Sequence, residues 1–310
     1  MEKTKYIWLD GRRVLWDDAQ VHILTHTLHY GLGVFEGIRC YETIDGRPAV
    51  FRLHEHIDRL YQSAHIVQLA IPYSKETLIK ETLDLLRANE MKSGYLRHLV
   101  FIGDGKMGLH PGNNPIRVSI AAWPWGAYLG DEGVTNGIRV KVSSFSRHHV
   151  NAQMTKAKVA GAYVNSILAK REVMAMGYDE ALMLDTEGYV SEASGENIFV
   201  MSNGILKTTP LTSVLRGITR DAVITFAREQ GIPVAEERFT RDELYTADEA
   251  FFTGTAAEIT PIREVDDRQI GTGKPGPVSQ AMQKKFHEVV RGQDPRYAHW
   301  LTYPTPLSAQ

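Results

Sequence analysis

Cysteine is nearly missing from this chain. Cys40 is the one thiol in 310 residues, so no internal disulfide forms and no second cysteine exists for a zinc site. A reducing, cytoplasmic compartment is expected. Net charge is nearly missing too: 35 lysines and arginines stand against 37 aspartates and glutamates, a formal charge of -2. That balance leaves no basic footprint for nucleic acid or an anionic membrane. No apolar run reaches membrane-spanning length, and the leading MEKTKYIWLDGRRV has no apolar core of signal-peptide length. The 12 histidines fall in stretches such as HTLHYG, HEHID and RHHV, without an HExxH pattern or other metal spacing, so no metal is expected. Repeats and low-complexity segments are absent.

What is present is ordinary globular sequence, 43% hydrophobic and 23% charged, long enough for one large domain or two medium ones. YIWLDGRRVLW reads as a hairpin about Asp10-Gly11, and VFEGIRCYETIDGRPAVFRL as two strands joined at Asp45-Gly46. Ile57, Leu60, Tyr61, Ala64 and Val67 form a helical stripe, and Ser74 is placed to cap a second helix. GYLRHLVFIG and IRVSIAAWPW read as strands. The division expected is a small α+β domain over 1–125, a glycine-rich linker over 126–135 and a larger α/β domain over 136–310. In the latter, IRVKVSSFSR is a strand, and a helix closed by Gly177 precedes a meander turning at Glu187-Gly188 and Asn203-Gly204. Thr219 is a candidate cap, and Thr240 with Glu243 a capping box. EAFFTGTAAEITPI reads as a strand running into a turn, and a helix near VSQAMQKKFHEVVRG ends the domain.

MTKAKVAGAYVNS sets Lys156 and Lys158 two apart before a helix start. Taken alone, Lys-x-Lys is a solvated face. A lysine amine becomes a nucleophile only when desolvated or set beside positive charge. If one of them holds pyridoxal 5'-phosphate (PLP), the protein must also bind the ring nitrogen, the phenolic oxygen and the phosphate. Groups suited to those tasks exist: Glu192 and Glu196 in VSEASGEN, Ile218 and Thr219 in LRGITRD, Gly254 and Thr255 in FFTGTAAE. Singly, each is equally a turn, an N-cap or a strand end.

Their order is more telling. HYGLGVFEGIR, FRLHEHIDRL, KVAGAYVNS, SEASGENIF, LRGITR and TGTAAEITPI occur in a succession that resembles the branched-chain amino acid aminotransferases, from Trp8 to about Arg291. The resemblance implies the two-domain PLP-dependent fold type IV, D-alanine aminotransferase-like, with a small N-terminal and a larger C-terminal domain. It implies transfer of an amino group between L-leucine, L-isoleucine or L-valine and 2-oxoglutarate. By the same resemblance Lys158 carries the cofactor, and Lys156 has a structural or surface role. Tyr163 would bond the phenolic oxygen and Glu192 the pyridine nitrogen, with Glu196 supporting the turn. Arg59 would meet the phosphate, joined by Leu215, Ile218, Thr219, Gly254 and Thr255. Tyr95 and Arg97, which share a strand face, match the pair for the glutamate side-chain carboxylate. Phe35, Gly37, Trp125 and Tyr128 match the lining for branched side chains, and Thr255, Ala256 and Ala257 the turn that receives the α-carboxylate. Tyr30 and Leu109 match residues given by a neighbouring subunit, which implies a homodimer or a larger homo-oligomer such as a hexamer.

Departures are few. Ala162 stands where many relatives have Asn, Ala193 where Gly is frequent and Arg216 where some have Pro, while His110 lies in a loop near the expected pocket and Arg39 is read as structural. The rival readings are a D-amino acid aminotransferase, an (R)-selective amine transaminase, an aminodeoxychorismate lyase and a non-catalytic PLP-binding protein. Tyr95-x-Arg97, together with MGLHP and WPWGAYLG, favours the branched-chain enzyme.

Overall fold

Asp10 and Gly11 both adopt positive φ, +49° and +89°, as a two-residue hairpin turn of the primed kind requires. They join β1 (Tyr6–Leu9) to β2 (Arg12–Leu15), in register from Tyr6 opposite Leu15 to Leu9 opposite Arg12. The computed structural model describes residues 2–126 and 129–304 of the chain. These fall into two compact units, one of Met1–Gly126, Ala157–Gly161 and Glu288–Gln310, the other of Ala127–Lys156 and Ala162–His287. Two stretches assigned by sequence to 136–310 therefore belong to the first unit.

The first unit continues with α1 (His26–Tyr30), β3 (Gly33–Glu42), β4 (Pro48–Phe51), α2 (Leu53–Ile66), α3 (Lys75–Ala88), β5 (Gly94–Ile102) and β6 (Ile116–Trp123). Among the described residues its sheet is seven-stranded and antiparallel, in the order Leu301–Thr302, β4, β3, β5, β6, β1, β2. One face is closed by the helices. Val34, Ile38, Cys40, Leu96 and Val100 pack with Leu53, Ile57 and Leu60 of α2 and Leu78 and Leu85 of α3 in one apolar cluster. Ser74 caps α3 as the sequence predicts, its hydroxyl accepting from Thr77 N at 3.2 Å.

The second unit holds α4 (Gly130–Asn136), β7 (Ile138–Val142), α5 (Tyr163–Ala175), β8 (Glu180–Leu184), β9 (Val190–Ala193), β10 (Asn197–Ser202), β11 (Ile205–Thr208), α6 (Ile218–Glu229), β12 (Val234–Glu236), α7 (Arg241–Tyr245), β13 (Glu249–Gly254), β14 (Glu258–Val265) and β15 (Arg268–Gln269), with α8 (Pro277–Val290) following. The expected linker thus carries a short helix, α4. The main sheet path runs β12, β11, β10, β13, β14, β7, β8, β9, with β15 against β14. β7 and β8 pair in parallel, as a crossover through α5 demands. Gly177 at φ +82° ends α5, where Tyr178 N donates to Val173 O.

Two expected side-chain caps are not made. Gly217, not Thr219, is the N-cap of α6 and offers no side-chain cap. A Cβ at Gly217 would lie 2.0 Å from Asn197 Oδ1, so a larger residue there would displace the Asn197 amide. Thr240 is the N-cap residue of α7, but its side chain makes no capping bond. Its hydroxyl bonds Asp242 instead, and that bond draws the Asp242 carboxyl below its ordinary pKa.

Candidate active site

β3 and β5 sort their residues by parity. Even-numbered positions turn to the helices, and Phe35, Gly37, Arg39, Tyr95 and Arg97 share the other face, with Gly37 opposite Arg97 and Arg39 opposite Tyr95. Tyr95 packs edge-on against Trp125, ring centroids 4.6 Å apart, and tilted against Trp123 at 5.2 Å. A Cβ at Gly37 would sit 1.8 Å from Tyr95 Oη, so only glycine lets the phenol lie across the strand. Arg97 donates to Tyr95 Oη at 3.3 Å and lies over the Phe35 ring at 4.7 Å. Its Nε is buried without a partner, and among the described residues no carboxylate pairs with it. Arg39 donates to the backbone oxygens of Trp125 and Gly126, a structural task. Trp123 joins this group without having been singled out. Tyr128 lies outside the described residues.

The Lys158 segment is stitched to β3 and α2 by its backbone. Lys158 N donates to Ser63 Oγ at 3.0 Å, Phe35 N donates to Lys158 O at 3.1 Å, and Val34 bridges Val159. Gly161 N donates to Gly31 O, an approach so close that a Cβ on Gly161 would meet that oxygen at 2.9 Å. The Lys158 amine lies over the Phe35 ring, its Nζ 4.8 Å from the centroid.

Behind this face lies a buried charge cluster. Glu36, fully buried, accepts from Arg59 Nε at 2.6 Å and Nη2 at 2.8 Å, and lies 2.7 Å from His56 Nδ1. Burial pushes the Glu36 carboxyl up, but Arg59 and then His56 overcome it and hold it well below the usual carboxylate range. Burial keeps His56 below the ordinary histidine range despite Glu36, and pushes His98 down to about 3. Thr82 gives its proton to Leu78 O, so it accepts from His98 Nε2 at 2.7 Å, which places the imidazole proton on Nε2.

In the second unit β9 presents Glu192, and its carboxylate is gripped. Oε1 accepts from Arg147 Nε at 2.7 Å, and Oε2 from Leu215 N at 3.2 Å and Asn197 Nδ2 at 3.4 Å. Asn197 also donates to Leu215 O. Lys156 folds its amine onto Val214 O at 3.2 Å, next to Leu215, so it tethers this loop. Partial burial lowers its pKa against the pull of Glu192. Arg147 and Asn197 were not singled out from sequence, since SSFSR reads as a strand and Asn197 as part of a turn, whereas β7 ends at Val142.

Tyr163 opens α5, half-buried, and Ile218 and Thr219 open α6, whose first amides have no side-chain cap. Gly254 pairs with Glu258, leaving Thr255, Ala256 and Ala257 as a three-residue hairpin turn closed by Glu258 at φ +53°. Glu196 accepts from Gly195 N and lies under Gly254, as a turn support does. Arg216 and His110 are exposed. Tyr30 and Leu109 are 42% and 90% exposed on the first unit, where His26 Nε2 meets Gly108 O at 2.7 Å and so ties α1 to the Leu109 loop. Among the described residues no helix is long and apolar enough to cross a membrane.

These residues suit PLP chemically. The uncapped amides of α6 and the guanidinium of Arg59 suit a phosphate, Glu192 suits a protonated ring nitrogen, and Lys158 supplies an amine. Comparison with known proteins agrees. The amino-transferase class IV family matches residues 33–265. A branched-chain-amino-acid aminotransferase of Pseudomonas aeruginosa is 53% identical over 301 residues, covering 97% of this chain and 98% of that one. The crystal structure of the Escherichia coli branched-chain amino acid aminotransferase superposes with a TM-score of 0.95 at 46% identity, over 98% of this chain and 100% of that one. That of the T.th. enzyme does so at TM-score 0.95 and 47% identity with pyridoxamine 5'-phosphate, and at 0.94 and 46% complexed with N-(5'-phosphopyridoxyl)-L-glutamate, each over 98% of this chain and 100% of that one.

Proposed function

The chain belongs to the class IV aminotransferases, of fold type IV, and on that premise we propose how its residues share the work. It is a PLP-dependent branched-chain-amino-acid aminotransferase, moving the amino group between L-leucine, L-isoleucine or L-valine and 2-oxoglutarate in branched-chain amino acid biosynthesis. Bound PLP supplies the carbonyl that takes the amino group and the ring that accepts electrons from the substrate carbon. Lys158 holds the cofactor and moves the proton at the substrate α-carbon. Glu192 keeps the proton on the ring nitrogen, and Tyr163 bonds the phenolic oxygen. Arg59, with the amides of Ile218 and Thr219 and the Thr255 hydroxyl, holds the phosphate. The turn over Thr255, Ala256 and Ala257 offers N–H groups to the α-carboxylate.

One observation carries the dual-substrate reading: the half-buried Arg97 guanidinium has no carboxylate partner among the described residues and lies over Phe35 and Tyr95, the latter packed on Trp125. Branched side chains gain about 0.8 kcal/mol per buried methylene against such rings. The distal carboxylate of 2-oxoglutarate gains a charge-assisted bond from Arg97 instead. Arg97→Leu should therefore cut the half-reaction with 2-oxoglutarate by roughly 10- to 100-fold and that with L-leucine far less. Equal losses, or faster reaction of the unaltered enzyme with D-alanine than with L-leucine, would refute the reading. Tyr30 and Leu109, exposed on one chain, are proposed to complete the substrate site of a second copy, so the enzyme works as a homodimer or larger. The cytoplasm is the proposed compartment, in keeping with a chain whose single cysteine, Cys40, allows no internal disulfide.

A further inference from the structure

A carboxylate has about four acceptor directions, two on each oxygen. On Glu192 the Oε2 side is filled by Leu215 N and Asn197 Nδ2, while Oε1 has the single donor Arg147 Nε. We propose that Oε1, shared with Arg147, is the oxygen Glu192 presents to the cofactor's ring nitrogen, and that Arg147 is the positioning residue that fixes it there. The inference rests on the reading of Glu192 given above.

Arg147 is built for holding. Its backbone N donates to Leu184 O at 2.7 Å at the end of β8, and its side chain is 11% exposed against 6% for Glu192. The bond uses Nε, which cannot rotate about the guanidinium plane, so the carboxylate is aimed as well as charged. Arg147 Nη1 is buried with no partner, so the side chain is not held by a rival acceptor on that nitrogen. The other titratable groups about the site are Lys156, whose amine lies on Val214 O and feels both Glu192 and Arg220, and His148, whose ring burial and Arg147 push down to about 4. Neither gives Glu192 a hydrogen bond. In the bound state the guanidinium and the ring cation divide one anion between them, so Arg147 sets how firmly the ring keeps its proton.

The test is a double-mutant cycle on the holoenzyme between Arg147→Met and Glu192→Gln, with Arg147→Lys alongside. Three quantities are read: the PLP dissociation constant by dialysis and fluorescence, the pH midpoint of the cofactor's visible absorption, and kcat and KM for L-leucine. Arg147→Met should raise the PLP dissociation constant about tenfold, move the pH midpoint and lower kcat by roughly 10- to 100-fold, with KM changed less than about threefold. Arg147→Lys, keeping the charge but not the planar Nε–H, should recover part of the affinity and remain impaired in kcat. In the Glu192→Gln background, Arg147→Met should add less than about a factor of two to each loss. An impaired Glu192→Gln whose background leaves the Arg147→Met losses undiminished would overturn the pairing alone. Near-normal cofactor retention and turnover in Glu192→Gln would overturn the role of Glu192 and the inference with it. If Arg147→Met does not fold, Arg147→Lys carries the same cycle, and additive losses there refute the proposal equally.

Discussion

Replacing Glu36 by Gln separates a structural charge cluster from one that also serves the cofactor. Glu36 is fully buried and receives two bonds from Arg59, so the substitution removes the negative charge from a buried ion pair. Breaking such a pair costs about 3–5 kcal/mol, and at about 2–4 °C per kcal/mol the midpoint of thermal unfolding should fall on the order of 10 °C. If Arg59 also meets the PLP phosphate, that group brings nearly two negative charges to the same guanidinium when the cofactor is bound. The penalty is then partly relieved in the holoenzyme and fully present in the apoenzyme. Unfolding in urea, followed by tryptophan fluorescence with and without saturating PLP, measures both. The loss of stability should be about twice as large without the cofactor as with it, the difference appearing as tighter PLP binding by the variant. Equal losses in both forms, or a larger loss in the holoenzyme, would show that Arg59 serves Glu36 alone and that the phosphate is held elsewhere.

Two further outcomes are expected. Lys158→Ala should abolish turnover and leave PLP weakly held, whereas Lys156→Ala, which removes a bond to Val214 O, should keep most of the activity; a dead Lys156 variant would reverse the assignment of the pair. Buried neutral His98 and His56, with pKa values below the unfolded 6.5, bind fewer protons folded than unfolded, so stability is fully present above about pH 6.5 and is lost as pH falls towards the folded values. Glu36, also depressed, adds to the loss below its ordinary value of 4.5. His98→Gln should flatten the urea midpoint between pH 6.5 and 4, a tenfold change in proton affinity being worth about 1.4 kcal/mol; an unchanged slope would remove His98 from that account.

Local signals in the sequence carried the frame well. Asp10-Gly11, the stripe on α2, Ser74 and Gly177 each act within a few residues, and each turn, helix or cap stands where its chemistry predicts. What escaped was set by partners distant in sequence. Glu36 lies in a stretch read for Phe35 and Gly37, yet its neighbours Arg59 and His56 come from α2. Arg147 reaches Glu192 across 45 residues, which no periodicity reveals. Thr219 is not the cap of α6 because the helix already begins at Ile218, with Gly217 as its N-cap beside Asn197 of β10. The lysine pair was divisible only by the resemblance, since neither spacing nor composition separates Lys156, whose amine meets Val214 O, from Lys158, whose backbone N meets Ser63 Oγ.

The alternation along β3 and β5 bears on how this protein can vary over generations. Phe35, Gly37, Tyr95 and Arg97 lie on the face proposed to admit substrate, while Val34, Glu36, Ile38, Leu96 and His98 face the helices that close the sheet. The two sets interleave along the chain but occupy opposite faces. Point substitutions can therefore change one face without disturbing the packing of the other, except at Gly37, where a Cβ would meet Tyr95 Oη. Gain or loss of a single residue within either strand exchanges the faces, sending Glu36 outward and Phe35 into the core. Descendants of this sequence can diversify by replacement here, but a change of strand length is closed to them.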